Sequence, residues 1–214
     1  MKPLGKPPHV CLITAGHANS ANYESEGSKI LENVGEAISL GVDLIQLREK
    51  DLSAGELFDL VTRVVAIALG TDTLILVNDR ADIAVAAGAD GVHLTENSIP
   101  SQIIRDTFPR ELVIGVSTHS LANAKSAALS GADYIFFGPV FETPGKGEPA
   151  GLQSLQQVCQ ELKDFPVIAL GGIDPHNVEQ IFPTGAAGVA AIRALNTPET
   201  TRELMRAMAA IDIR

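Results

Sequence analysis

The chain has 214 residues, 45% hydrophobic and 20% charged, with 26 acidic against 16 basic side chains and a formal net charge of −10. That surplus argues against nonspecific binding to nucleic acid or to an anionic membrane, although a local basic cluster can still receive an anionic small molecule. The length suits a single core, and no composition shift, charge block or low-complexity stretch marks a second domain.

Residues 1–8, MKPLGKPP, read as a Pro-rich N-terminal tail ahead of one domain over 9–214. The apolar run after the tail is too short for a secretory or membrane-spanning segment, so a cytoplasmic protein is expected. Eight short apolar runs then follow: VCLITA (10–15), LIQLRE (44–49), LILVND (74–79), GVHLT (91–95), VIGVST (113–118), YIFFGPV (134–140), VIALGG (167–172) and GVAAIR (188–193). Their Val, Ile and Leu content fits strands buried on both faces. Stretches with helical spacing lie between them, such as ILENVGEAISLGV (30–42) and ELFDLVTRVVAIALG (56–70). Strand, helix and parallel strand repeated to eight predict an α/β fold, a single-domain (β/α)8 TIM barrel with its active face at the C-terminal strand ends. Cys11 and Cys159 read as buried free thiols, and no metal-ligand spacing involves them.

The strand ends carry the chemistry. Gln46, Arg48 and Lys50 are spaced by two after the second run, so they share one face of the strand, and Glu49 points the other way. Two cations near a barrel interior are costly without an anion; either a phosphate or pyrophosphate meets them, or Arg48 has an internal carboxylate and Lys50 reaches water. Asn78 and Asp79 offer hard oxygen ligands suited to Mg²⁺, or else cap the helix beginning near Ala81. His93 alternates with Val92 and Leu94 and reads as a satisfied structural histidine, in the barrel or under a helix. His119 follows the fifth run beside Ser117, Thr118 and Ser120, as a general acid or base or as part of a helix cap. Gly171 and Gly172 end the seventh run and Arg193 the eighth, where such barrels hold phosphate on backbone N–H groups. Two polar loops, GHANSANYESEG (16–27) and FETPGKGEPAG (141–151), are candidate lids, and Lys146 on the second can fold over a bound phosphate.

Together QLREK (46–50), LVNDRADIA (76–84), ADGVHL (89–94), IGVSTHS (114–120), GADYIFFGPVFET (131–143) and VIALGGIDPHNV (167–178) resemble the thiamine phosphate synthase family and its thiazole tautomerase branch over nearly the whole chain. The resemblance implies condensation of hydroxymethylpyrimidine pyrophosphate with thiazole phosphate, releasing pyrophosphate. It places Arg48 and Lys50 on the pyrophosphate, Gln46 near the pyrimidine, Asn78 on the substrate, Asp79 on Mg²⁺, Lys146 over the pyrophosphate and Gly172 on the thiazole phosphate. Ser117, Thr143, Gly171 and Arg193 complete the substrate contacts. The partners it implies are phosphorylated pyrimidine and thiazole molecules, with no nucleic acid and no membrane; a homo-oligomer stays open.

Three positions depart from the synthase pattern. Ser98 stands where a second acidic metal ligand is usual, with Glu96 two residues early as a stand-in. The loop motif reads Thr143-Pro144-Gly145-Lys146 and lacks one hydroxyl. Arg193 replaces a small Ser. The tautomerase branch tolerates these losses, and IIRDTFP, STHSL and FETPGKG resemble it; His119 matches its catalytic histidine in a metal-free isomerisation. Three readings follow: a synthase with a reduced metal site, favoured by the retained Arg48, Lys50, Asn78, Asp79 and Lys146; a tautomerase; and a non-catalytic phosphate-ligand binder or regulator.

Overall fold

A computed structural model describes residues 4–109 and 111–211. Eight strands, β1 (His9–Ile13), β2 (Leu44–Leu47), β3 (Leu74–Asn78), β4 (Gly91–Leu94), β5 (Val113–Thr118), β6 (Tyr134–Phe137), β7 (Val167–Leu170) and β8 (Gly188–Ala191), fall inside the eight apolar runs, save that β1 begins one residue early. Each pairs in parallel with the next, and β8 closes on β1 with His9 beside Gly188 and Leu12 beside Ala191. The barrel is therefore complete, and all eight strand ends share one rim.

Alternation along the strands fills two shells. Inward-facing Cys11, Leu44, Leu76, Tyr134, Phe136 and Ile168 pack as one buried cluster, with Leu4 of the tail against it. Outward-facing Leu12, Ile45, Val77, Ile135 and Ala169 join a larger cluster under the helices. Six helices, α1 (Tyr23–Ser39), α2 (Ala54–Ala68), α3 (Ala81–Ala86), α4 (Ser101–Thr107), α5 (Leu121–Leu129) and α6 (Gly151–Leu162), follow β1 to β6, and α7 (Pro198–Ala209) follows β8. Cys11 and Cys159 are free and buried. The remainder of the Pro-rich tail, residues 1–3, lies outside the described residues.

The structure departs from the sequence expectation at two places. No α-helix follows β7; two single-turn 3₁₀ segments, Val178–Gln180 and Phe182–Thr184, stand in its place. Pro175 and Pro183 bracket a span of only seven residues between them, too short and too interrupted for a stable helix. The first loop is also shorter than its polar composition implied, because Tyr23–Gly27 form the first turn and more of α1. Those polar positions are the solvent side of an amphipathic helix.

A recurring turn fixes the closed end of the barrel. Helices α1, α3 and α5 each lead to Gly-x-Asp (41–43, 88–90, 131–133), with the glycine at a φ of 83°, 75° and 90° in turn. Each aspartate accepts a backbone hydrogen bond from the preceding strand: Val10 N to Asp43 at 2.8 Å, Ile75 N to Asp90 at 2.8 Å and Ile114 N to Asp133 at 2.7 Å. Asp133 also takes Arg105 Nη2 at 2.7 Å. Asp133→Ala removes both interactions, and we expect it to lower the unfolding free energy by about 2 kcal/mol in urea titration. Glu161→Ala, which breaks an exposed pair with Lys125, should leave the midpoint near that of the wild type.

Candidate active site

Along the second strand end, exposure rises from buried Gln46 through half-buried Arg48 to exposed Lys50. Alternation turns Glu49 the other way, where at 3% exposure its carboxylate accepts Gly16 N at 3.0 Å and Ala18 N at 2.8 Å. Thr14 Oγ1 accepts Arg48 N at 2.8 Å. These bonds, with the bridge between Asn19 and Asp51, tie the β1–α1 loop to the second strand end rather than leaving it as a free lid. Among the described residues neither Arg48 nor Lys50 forms an ion pair. The internal carboxylate for Arg48 is thus not found. Glu49 carries a role that sequence reading missed, and its only sequence signal was a carboxylate out of phase with the basic ladder.

A directional chain of hydrogen bonds crosses the rim beside the ladder. Gln46 Nε2 donates to Asn78 Oδ1 at 3.0 Å, and Asn78 Nδ2 donates to Asp79 Oδ2 at 2.9 Å. Gln46 Oε1 is buried and has no hydrogen-bond partner among the described residues. Asp79 does not cap α3: no side chain caps that helix, and Arg80 occupies the cap position. Instead Asp79, at a φ of 57°, turns its carboxylate toward the β4–α4 loop, where Oδ1 accepts Thr95 N at 3.1 Å and the Ser98 hydroxyl. Ser98 therefore meets Asp79 although it lacks the expected acid.

Glu96 is engaged elsewhere. One of its oxygens accepts Asn123 Nδ2, and the other lies 3.9 Å from His119 Nε2. Among the described residues no three His, Cys, Asp or Glu side chains gather as a metal cage. Mg²⁺ does not require one, since it is commonly held by one or two carboxylates plus substrate phosphates. Asp79 Oδ2, with a single hydrogen bond, and the Ser98 hydroxyl suit that mode.

The two histidines differ. His93 points into the barrel at 1% exposure, its ring nitrogens 2.9 Å from Tyr134 Oη and 2.9 Å from Ser117 Oγ. Burial pushes it down to about 3, so it stays neutral. His119 is open to solvent, and its Nδ1 donates to the Gly138 carbonyl, which leaves Nε2 as an acceptor. The helix cap beside it belongs to Ser120, whose hydroxyl accepts Asn123 N at 3.2 Å. Capping thus does not explain His119.

Gly171 and Gly172 form the seat of the β6–α6 loop. A Cβ on Gly172 would lie 2.6 Å from Glu142 O, and one on Gly171 would lie 2.5 Å from Pro139 Cβ. Phe141 N donates to Gly171 O at 3.0 Å. Thr143 Oγ1 donates to Phe141 O at 3.0 Å, and Lys146, exposed and without an ion pair among the described residues, sits at the tip of this loop. Arg193 follows β8, on the other side of β1 from the ladder. It lines a cleft of about 490 Å³ with His17, Lys29 and Asn33, between the β1–α1 loop and the end of β8. That cleft adjoins the ladder, since Thr14 and Glu49 also line it and Thr14 Oγ1 accepts Arg48 N.

Loop anchoring by Glu49 has a direct check. Glu49→Ala should speed amide hydrogen exchange at Gly16 and Ala18 and cost about 3 kcal/mol of stability, because two hydrogen bonds to a charged acceptor are lost.

Comparison with known proteins gives a concordant result. A family model described as thiamine monophosphate synthase matches residues 10–195. A Geobacter sulfurreducens protein that carries a provisional thiamine-phosphate synthase name is 42% identical over 192 residues, which is 88% of this chain and 90% of that protein. The thiamine-phosphate synthase of Chlorobium luteolum is 36% identical over 207 residues, 95% of this chain and 92% of that one. The solved thiamine phosphate pyrophosphorylase from Pyrococcus furiosus superposes with a TM-score of 0.81 at 31% identity, covering 94% of this chain and 95% of that one.

Proposed function

The chain belongs to the thiamine monophosphate synthase family, and we propose that it joins hydroxymethylpyrimidine pyrophosphate to thiazole phosphate, releasing pyrophosphate. The observation that carries this reading is the pair of cations, Arg48 and Lys50, without carboxylates at a rim already lined by Gln46, Asn78 and Asp79. Unpaired cations at a partly desolvated rim favour an anion, and a metal-free isomerase has no need of that cluster.

In the reaction the bond from the pyrimidine methylene carbon to the pyrophosphate oxygen breaks, and its electron pair leaves on pyrophosphate. The thiazole nitrogen lone pair then forms the new carbon–nitrogen bond. Arg48 and Lys50 stabilise the charge that builds on the leaving group, and Lys146 closes over it from the β6–α6 loop. Gln46 Oε1, buried without a partner among the described residues, suits an N–H donor of the pyrimidine, and the bond from Gln46 Nε2 to Asn78 fixes which end of the amide faces it. Backbone N–H groups near Gly171 and Gly172 hold the thiazole phosphate. Asp79 with Ser98 would hold Mg²⁺, which when bound offsets pyrophosphate charge; Glu96, turned toward His119 and Asn123, is left out of that set. Ser117 and Thr143 supply hydroxyls to the substrates, and Arg193 presents a further cation from its cleft.

His119 supports a second reading, thiazole tautomerisation. Its Nδ1 is fixed by the Gly138 carbonyl and its Nε2 faces solvent beside a Glu96 oxygen 3.9 Å away, an arrangement suited to a proton-transferring base.

A coupled pyrophosphate assay with both substrates should show turnover that needs Mg²⁺ and that falls about 100-fold in Lys50→Ala. His119→Ala should change it little. Turnover of the thiazole tautomer alone, abolished by His119→Ala and indifferent to Lys50→Ala, would replace this reading by the second. Ser98→Asp should tighten Mg²⁺ in the same assay, since it adds an anionic ligand beside Asp79.

A further inference from the structure

We propose that Tyr134 and His93 are positioning residues: they form a buried one-way relay that holds Ser117 as a hydrogen-bond donor toward the leaving pyrophosphate. The inference rests on the synthase reading only for the identity of that ligand. Tyr134 and His93 are 0% and 1% exposed, in the closed interior of the barrel. His93 Nδ1 lies 2.9 Å from Tyr134 Oη, and its Nε2 lies 2.9 Å from Ser117 Oγ. The imidazole packs on Phe136, with ring centroids 4.1 Å apart. On the intervening strand β5, where Gly115 is in register with both residues, a Cβ would sit 2.1 Å from Tyr134 Cζ and 2.5 Å from His93 Nδ1. Glycine therefore leaves room for the Tyr134–His93 bond to cross.

The direction of the relay follows from counting donors. A neutral imidazole has one donor nitrogen and one acceptor nitrogen. If the Tyr134 hydroxyl donates to Nδ1, the His93 proton is on Nε2 and Ser117 Oγ must accept it. The Ser117 proton is then free to point at a ligand. In the reverse arrangement Ser117 spends its proton on Nε2, Nδ1–H donates to Tyr134 Oη, and the phenol proton is stranded in the closed interior with no acceptor among the described residues. A buried unsatisfied donor carries a full desolvation penalty, so the first arrangement wins. Ser117 is half-buried at the end of β5, on the same rim as Asn78 and the basic ladder, and its free proton suits an oxygen that gains negative charge.

Long-range proton–nitrogen correlation of protein labelled with ¹⁵N-histidine reads the His93 tautomer without any substrate. The expected result is a single Nε2–H form in the wild type and a redistributed one in Tyr134→Phe. Synthase turnover of Tyr134→Phe should fall on the order of 10-fold in kcat, with KM little changed. In a Ser117→Ala background the same substitution should cost nothing further, because the relay then has no output. An Nδ1–H form in the wild type overturns the proposal, and so does an equal loss of kcat in both backgrounds, which marks a purely structural role. Should Tyr134→Phe not fold, the wild-type tautomer alone decides. Absence of wild-type turnover would overturn the synthase reading instead; the tautomer and the binding of Mg²⁺-pyrophosphate to wild type and Tyr134→Phe then decide this one.

Discussion

In a closed parallel barrel every second side chain of a strand must enter a space shared with seven other strands, and all eight strands end on the same rim. Here the lower interior is filled by Leu, Ile, Phe and the ring of Tyr134, which excludes water. Polar groups gather in the upper layer, where the cost of desolvation forces them to pair; His9, buried at the start of β1 with its Nδ1 unpaired among the described residues, is an exception. Two chains result: Gln46 to Asn78 to Asp79, and Tyr134 to His93 to Ser117. In both, side-chain orientation is set by the count of donors and acceptors rather than by shape alone. What stays unsatisfied in these two chains among the described residues, Gln46 Oε1 and by inference the Ser117 proton, is available to a ligand.

The cations are arranged against the trend of the whole molecule. A protein of net charge −10 repels anions at long range, yet Arg48, Lys50 and Lys146 stand without carboxylate partners among the described residues on one face. Neighbouring acids are occupied: Glu49 anchors the first loop through two backbone N–H groups, and Glu96 pairs with Asn123. Diverting these carboxylates leaves the cations without direct ion-pair partners. Asp79 is the exception, and it binds the Ser98 hydroxyl rather than a cation of the ladder.

The barrel was legible in the sequence because strands buried on both faces leave continuous apolar runs, and each run contains its strand except that β1 starts one residue early. The positions of Arg48, Asn78, Asp79 and His119 were equally legible, since a period of two and the strand ends suffice to place them. Three features were not. The start of α1 at Tyr23 was hidden because a polar helix turn on the surface has the composition of a loop. The missing helix after β7 followed from two prolines whose joint effect depends on spacing. The partners of Glu49, Glu96 and Ser98 lie 19 to 33 positions away, and no local pattern encodes which carboxylate turns toward which loop. His93 was read as structural; its burial fits that reading, and its link to Ser117 adds a second role.

The central claim is that the ladder at the end of β2 is a pyrophosphate site rather than a solvated face. Isothermal titration of inorganic pyrophosphate with Mg²⁺ into the wild type and into an Arg48→Ala, Lys50→Ala double variant tests it most directly. The account predicts saturable binding to the wild type, weakened by two orders of magnitude or more (about 3 kcal/mol) in the variant, with thermal unfolding unchanged. Equal affinity for both proteins, or no binding to the wild type, would contradict it.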